Sequence, residues 1–206
     1  SAASDVYKRQ QYNQLIARRV REQNVYCEVK PCSISPDGIR ELAPIGIILS
    51  GGPQSVYESV SLHVDPALFS LGIPVLGICY GCQLMAYSLG GTVAAATEAT
   101  AREYGKTLTE FDTESAIFHG LPASSVTWMS HGDYISQVPD GFTVTAKTAV
   151  CPTAAMACPE KKLYGVQFHP EVQHTVQGSE ILRRFLYSVC GASGDWTMAD
   201  YRQTAI

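Results

Sequence analysis

The 206-residue sequence has no uninterrupted apolar run of the roughly 20 residues that a membrane-spanning helix requires. It also has little excess of either charge, because 15 basic side chains stand against 19 acidic ones and the net charge is −4. A basic face that would attract nucleic acid or an anionic membrane is therefore not expected. The first residues lack the charged, apolar and small-residue order of a secretory signal. We expect a cytoplasmic protein that binds neither nucleic acid nor membrane.

The sequence lacks an even set of cysteines, since it contains seven. A chain of this length with 46% hydrophobic residues can bury a core without disulfide bonds. We therefore predict reduced thiols, most of them acting as small buried hydrophobic residues. No metal site is predicted, because the spacing of Cys151 and Cys158 does not suit a four-ligand zinc set.

Nucleotide-binding motifs are also missing, since there is neither a Walker motif nor a Gly-x-Gly-x-x-Gly loop. Ser50-Gly51-Gly52 opens like the phosphate loop of ATP-pyrophosphatases. Pro53 follows, however, and it removes a backbone N–H that a phosphate cradle would use. No nucleotide site is predicted in this chain.

Buried apolar strands alternate with helices in the first half of the chain. Strands are predicted at residues 45–49 and 74–78, and helices at 12–23, at 83–89 and in a short turn that Asp65 caps. This order predicts an α/β fold with an open, mostly parallel sheet and helices on both faces. The second half predicts a smaller β-rich portion, with pieces at 104–111, 126–129, 142–147 and 163–168. Ser179 is predicted to cap a closing helix at 180–189.

A candidate nucleophile lies in Gly77-Ile78-Cys79-Tyr80-Gly81, which has the G-x-nucleophile-x-G pattern of a tight strand-to-helix turn. A helix start favours a thiolate through its N–H groups and dipole. The Tyr80 N–H is the predicted oxyanion-hole donor, and Gly51 and Gly52 are candidates for a second. Two other interpretations stay open: a core cysteine beside a helix start, and a redox centre, because Cys79 and Cys82 form a C-x-x-C motif.

A candidate base and its orienting group lie in Phe168-His169-Pro170-Glu171. Pro170 favours an extended backbone at His169, so the imidazole and the Glu171 carboxylate can project to the same side. Glu171 can then bond one ring nitrogen and hold the other toward Cys79. Thiol, imidazole and carboxylate together predict nucleophilic catalysis on an acyl or amide carbon.

These motifs resemble the class I (triad) glutamine amidotransferases over about residues 12–190. Trp128-Met129-Ser130-His131-Gly132-Asp133 and Gln173-His174-Thr175 resemble the amidotransferase domains of the GMP synthase branch more than those of anthranilate or CTP synthases. The resemblance implies that Cys79 attacks the side-chain amide of L-glutamine, while His169 carries a proton to the leaving ammonia and Glu171 orients His169.

The resemblance also implies substrate contacts from Gln83 on the helix and from the loop Ser130, His131, Gly132 and Asp133. Asp133 is in addition a candidate contact to a partner domain. That partner is a synthetase (ATP-pyrophosphatase) domain, which would receive the ammonia and use ATP and Mg²⁺ to adenylate XMP and form GMP. No cofactor is expected in the amidotransferase domain itself.

Two segments depart from the family pattern. Residues 1–10 are polar where the family has an apolar strand, and we expect them to be a non-native or artefactual segment. Residues 191–206 resemble the start of a linker toward the synthetase domain, so the chain is expected to be a fragment with its amidotransferase domain at 11–190. The competing functions are an amidotransferase component of another biosynthetic synthase, a non-catalytic homologue and a C-x-x-C redox module.

Overall fold

The computed structural model describes residues 13–51, 64–96 and 103–196. The expected non-native segment 1–10 and the end of the linker, residues 197–206, lie outside these ranges. Nine strands occur within them: β1 Ile47–Leu49, β2 Val75–Ile78, β3 Thr92–Ala94, β4 Glu103–Phe111, β5 Ser124–His131, β6 Tyr134–Gln137, β7 Thr143–Lys147, β8 Ala155–Cys158 and β9 Leu163–Val166.

Seven of these strands form one sheet in the order β1-β2-β9-β8-β7-β4-β5, while β3 and β6 form a separate antiparallel pair. The predicted α/β class is confirmed. Parallel pairing joins β1, β2 and β9, and the other neighbours in the sheet pair antiparallel. The β-rich second half therefore extends the same sheet. Its strands β8 and β9 are joined by a connection too short for the crossover that parallel neighbours need.

Helices cover both faces of this sheet. They are α1 at residues 13–22, α2 Pro36–Leu42, α3 Tyr80–Ser88 and α4 Gly178–Arg183, which continues as a π-helical turn over Arg184–Val189. A 3₁₀ turn, Pro66–Ser70, has the predicted cap, because the Asp65 carboxylate accepts a hydrogen bond from the Ala67 N–H at 2.9 Å.

The prediction that Ser179 caps the last helix is wrong. The helix begins at Gly178, two residues before the predicted start, and Gln177 precedes it without a side-chain cap. A Cβ atom at position 178 would lie 2.0 Å from the Pro170 carbonyl oxygen. The close approach of these two backbones requires a glycine at the first position of the helix.

Alternation along the central strands divides the core between the two faces. On β2, Leu76 and Ile78 pack in one cluster with residues of α1 and α4, while Val75 packs in the other with residues of α3. These three side chains are fully buried. The sheet is thus held between two apolar layers, which fixes the register of the strands that carry the site. No helix in the described ranges is long and apolar enough to span a bilayer.

Candidate active site

Cys79 lies on a strained turn between β2 and α3. Its backbone has φ 54° and ψ −111°, a region that non-glycine residues rarely adopt and that costs about 1–3 kcal/mol. The Cys79 N–H donates to the Val166 carbonyl at 2.8 Å, and its carbonyl accepts from Cys82 and Gln83 of the first helical turn. The turn is therefore bonded to β9 on one side and to α3 on the other.

The two glycines of the motif are required by contact distances. A Cβ atom on Gly77 would lie 2.7 Å from the Gly81 carbonyl oxygen, and one on Gly81 would lie 1.8 Å from the Leu49 carbonyl oxygen at the end of β1. No side chain fits at either distance. The predicted tight turn is therefore present, and it places Cys79 at the carboxyl ends of the parallel strands, where open α/β sheets bind their ligands.

His169 and Glu171 form a short, buried hydrogen bond. The distance from His169 Nδ1 to Glu171 Oε1 is 2.6 Å, and the side chains are 13% and 0% exposed. The His169 N–H donates to the Trp128 carbonyl at 3.0 Å, and the Thr175 hydroxyl donates to the His169 carbonyl at 2.6 Å. The backbone that carries the imidazole is therefore hydrogen-bonded to β5.

The protonation of His169 depends on its two neighbours. Burial alone would lower the pKa of the imidazole, but a negatively charged Cys79 sulfur, a hydrogen bond with Cys79 and the Glu171 carboxylate together raise that pKa well above its ordinary value. These effects of Cys79 on the imidazole place the two side chains next to each other. The structure therefore brings together the three residues that the sequence predicted as a catalytic set.

Two further groups surround the Cys79 sulfur. The Gln167 side-chain N–H donates to it at 3.6 Å, and the Ser130 carbonyl lies 3.6 Å away on β5. Sequence reasoning assigned no role to Gln167, which lies two residues before the histidine. The Ser130 contact comes from the backbone, so its side chain could not have predicted it.

The predicted substrate residues divide by environment. Gln83 is buried on α3, and its side-chain N–H groups donate to the Gln167 amide oxygen and the Asp133 carbonyl, both at 3.0 Å. Tyr80 begins α3 directly after the nucleophile. Gly51 has φ +77° and follows the end of β1. The carbonyl of Leu49, the last residue of β1, closely approaches Gly81. Gly52 lies outside the described residues.

The loop after β5 is held from inside the protein. His131 is buried, its Nδ1 lies 2.8 Å from the Asp133 carbonyl, and its Nε2 lies 3.2 Å from a carboxylate oxygen of Glu103. Gly132 completes the turn into β6. The buried His131 imidazole therefore holds the loop in place through its hydrogen bond with the Asp133 carbonyl. Glu103 has no motif around it, and only the pairing of β4 with β5 could have revealed this partner.

Glu103, His131 and Cys151 bring potential ligand atoms within 4.8 Å of one another, and all three are buried. Their polar atoms already have protein partners: the second oxygen of Glu103 accepts from the Thr148 hydroxyl at 2.8 Å, and the Cys151 thiol bonds the Thr153 carbonyl at 3.4 Å. Burial, followed by the Glu103 carboxylate, raises the pKa of Cys151 to about 12. We interpret the cluster as a hydrogen-bond network.

The second cysteine of the C-x-x-C motif is unsuited to thiol exchange. Cys82 has no exposed surface, and its sulfur lies close under Gly165 of β9, where a Cβ atom would meet it at 2.5 Å. Burial, together with the charges of Cys79 and Cys151, raises the pKa of its thiol. A resolving cysteine needs the opposite, exposure and an accessible thiolate.

The chain matches a known protein family over most of its length. Residues 3–189 match the family model described as glutamine amidotransferase class-I. The chain belongs to the class-I glutamine amidotransferases. Within that family, it is 54% identical over 196 residues to the GMP synthase (glutamine-hydrolyzing) of Clostridium botulinum strain Alaska E43. It is also 54% identical over 191 residues to the enzyme of the same name from Geobacillus kaustophilus.

The relatives are longer than this amidotransferase chain. The alignments cover 95% and 93% of the chain but only 38% and 37% of the two relatives. Among solved structures, a protein of Thermoplasma acidophilum described as a GMP synthase subunit superimposes with a TM-score of 0.74 at 30% identity, covering 93% of this chain and 90% of that one. The amidotransferase unit therefore occurs both inside a longer chain and at about this length.

Proposed function

We propose that this chain is the glutaminase portion of a GMP synthase and that it hydrolyses L-glutamine to supply ammonia. One observation carries the proposal: a fully buried carboxylate lies 2.6 Å from the His169 imidazole, and the neighbouring sulfur of Cys79, on its strained turn, raises the pKa of that imidazole. Nucleophile, base and orienting group in this order are the arrangement of acyl transfer. The family match and the 54% identity to named GMP synthases support the choice of glutamine as the acyl donor.

In the first step, the Cys79 sulfur forms a bond to the side-chain carbonyl carbon of glutamine. The carbonyl electrons move onto oxygen, where we propose that the Tyr80 N–H at the start of α3 stabilises the negative charge, with Gly51 and Gly52 as candidates for a second donor. The C–N bond then breaks, and the proton on His169 goes to the departing nitrogen. The products are ammonia, a glutamyl thioester on Cys79 and a neutral imidazole.

In the second step, His169 takes a proton from water as the water oxygen attacks the thioester carbon. The C–S bond breaks, glutamate leaves, and the sulfur anion faces an imidazolium again. The balance is one glutamine and one water consumed for one glutamate and one ammonia. Glu171 transfers no proton; it stabilises the imidazolium and fixes the ring, as its 2.6 Å hydrogen bond to Nδ1 allows.

Substrate contacts are proposed for residues around the sulfur. Gln83 and the segment Ser130–Asp133, which is the end of β5 and the turn after it, are joined by the hydrogen bond from the Gln83 side-chain N–H to the Asp133 carbonyl. We propose that this pair holds the amino-acid end of glutamine while the side-chain amide points at Cys79. His131 supports the loop from its buried position.

Because the chain covers 38% of its relative, we propose that a synthetase part completes the enzyme. That part would use ATP and Mg²⁺ to activate XMP and would take up the ammonia to form GMP, in the cytoplasm. The 54% identity to full-length GMP synthases supports this pairing over another biosynthetic synthase.

The experiment that tests the proposal is a coupled measurement of both products. Incubation with L-glutamine should release glutamate and ammonia in a 1:1 ratio, whereas L-asparagine, one methylene shorter, should give about 100-fold less product. The synthetase part of the Clostridium botulinum relative, supplied with ATP, Mg²⁺ and XMP, should then form GMP from glutamine. Absence of glutamate release in both settings would refute the proposal.

The pH profile should report the contact between His169 and Glu171. Since the pKa of His169 is raised, the imidazolium that protonates the departing nitrogen should persist above neutral pH and be lost as pH rises through that raised value. Glu171→Gln removes the stabilising carboxylate, so the alkaline fall of kcat/KM should move to lower pH, by about one unit. The measurement is glutaminase kcat/KM from about pH 6 to pH 10.

The matched control for this profile is Glu110→Gln. Glu110 lies on β4 with a 64% exposed side chain and pairs with Lys147 at the surface. This substitution makes the same change in charge away from the site and should leave the profile unchanged. An alkaline fall at the same pH in Glu171→Gln and the unsubstituted protein would contradict the assigned role of the carboxylate.

A further inference from the structure

We infer that Gln167 is a positioning residue whose side-chain N–H orients the Cys79 sulfur for attack and binds more strongly to its anionic form. The inference rests on the proposed function, in which Cys79 is the nucleophile. Gln167 directly follows β9, has no exposed surface, and directs its side-chain N–H at the sulfur at a distance of 3.6 Å. It therefore contacts the reacting sulfur from within the protein rather than from solvent.

The orientation of the Gln167 amide is determined by Gln83. The Gln83 side-chain N–H donates to the Gln167 amide oxygen at 3.0 Å, so the nitrogen end of Gln167 must face the sulfur. The backbone is fixed as well, because the Gln167 N–H donates to the Ala154 carbonyl at 2.8 Å. A flipped amide would place two oxygens or two nitrogens together in a buried site, at the cost of an unsatisfied polar group.

Gln83 is itself held at its second N–H. That N–H donates to the Asp133 carbonyl at 3.0 Å, and the same carbonyl lies 2.8 Å from His131 Nδ1. Both donors of the Gln83 amide are thus used. A continuous series of hydrogen bonds leads from the sulfur through Gln167 and Gln83 to the loop that we propose contacts the substrate.

The groups around the sulfur respond oppositely to its charge. The Ser130 carbonyl at 3.6 Å can accept a hydrogen bond from a neutral thiol but repels an anion. The Gln167 N–H, 3.6 Å from the sulfur, can act only as a donor in this hydrogen bond. Such a bond is stronger when the sulfur is an anion. With the Ser130 carbonyl on one side, the Gln167 donor shifts the balance at Cys79 toward the thiolate and toward a fixed direction of attack.

The test compares Gln167→Met with Gln167→Glu. Methionine keeps the length and burial of the side chain but has no N–H, and glutamate keeps the shape but brings oxygen to the sulfur. The readout is the rate at which iodoacetamide alkylates Cys79, followed by peptide mass spectrometry across pH. We expect the midpoint of this profile to rise by about one pH unit in Gln167→Met, a tenfold smaller thiolate fraction at fixed pH, and by more in Gln167→Glu.

Glutaminase kinetics provide the second readout. Turnover should fall by about tenfold in Gln167→Met with KM changed by less than about threefold, because the lost interaction stabilises the nucleophile rather than bound glutamine. Gln137→Met, at an exposed position on β6, is the matched control and should match the unsubstituted protein in both assays. A merely structural role would lower the melting temperature but leave the alkylation midpoint in place, and that result would overturn the inference.

A measurement on the unsubstituted chain keeps the test independent of folding in the variants. The side-chain amide resonance of Gln167 in ¹⁵N spectra should shift with pH in step with Cys79 alkylation, and the shift should vanish in Cys79→Ala. A Gln167 resonance that does not change as the Cys79 thiol loses its proton would overturn the inference, and the proposed function would remain. Full glutaminase activity in Cys79→Ala would instead remove the proposed function itself.

Discussion

Replacing Cys79 with alanine is expected to lower glutaminase turnover by about 10³-fold or more, because the sulfur forms the bond to substrate carbon and no other group can take its place. Removal of one member of a set that acts as a unit abolishes most of what the set achieves. The fold should survive, since alanine is smaller and Cys79 is only partly buried. The measurement is glutamate release under saturating glutamine, with thermal melting to check folding.

Cys82→Ala is the matched control for this substitution, three residues away on α3. It should keep turnover within about threefold and lose about 1 kcal/mol of stability from the small cavity it leaves under Gly165. A redox centre would instead be sensitive to both substitutions, because each thiol is needed for exchange. Equal loss of activity in the two variants would therefore favour redox chemistry over glutamine hydrolysis. Full activity in both variants would refute the assignment of Cys79 as the nucleophile.

Gly81→Ala should be the most damaging single-methyl substitution at this site. The added Cβ would stand 1.8 Å from the Leu49 carbonyl oxygen, which belongs to the backbone of β1 and cannot rotate away. Either the start of α3 or the end of β1 must move. We expect a loss of about 3 kcal/mol or more in unfolding free energy, and turnover reduced by about 10²-fold because the turn that holds Cys79 is displaced. Chemical denaturation and glutaminase assay measure the two effects.

Gly90→Ala separates this clash from the ordinary cost of replacing a glycine. Gly90 has φ +92°, so alanine there is strained, but no atom lies within 4 Å of the added Cβ. It should lose only about 1–2 kcal/mol and keep its turnover. If Gly81→Ala were no less stable than Gly90→Ala and equally active, the close approach of α3 to β1 would not be a requirement of the site.

The candidate site was predicted from short motifs because each depends on local covalent geometry. A cysteine between two glycines at the end of an apolar strand allows few backbone paths, and the one adopted has φ 54° at Cys79. A proline after His169 restricts the backbone so that the imidazole and Glu171 share a side. The capping of Pro66–Ser70 by Asp65 is local in the same sense. Such features need no knowledge of distant residues.

Other features depended on residues far apart in the chain. Gly178, the first residue of the last helix, lies against a carbonyl eight residues earlier in the chain, and no capping pattern in the sequence reveals that contact. The roles of Cys79 and Cys82 differ by burial, although the motif treats them alike. The antiparallel pairing of β8 with β7 and β9 depends on short connections, which the sequence did not reveal because β8 was not predicted.

By itself, the sequence determined the class of fold, the turn that carries Cys79 and the pairing of His169 with Glu171, because backbone sterics and two-residue periodicity act over a few neighbouring positions. Only the tertiary structure decided what surrounds the sulfur: the Gln167 amide, its orientation by Gln83 and the buried pair of Glu103 with His131. The hydrogen bonds among these groups join residues 28 to 88 positions apart in the chain. They form only when the sheet and α3 have packed, since burial is what makes an unpaired polar group costly and so selects its partner.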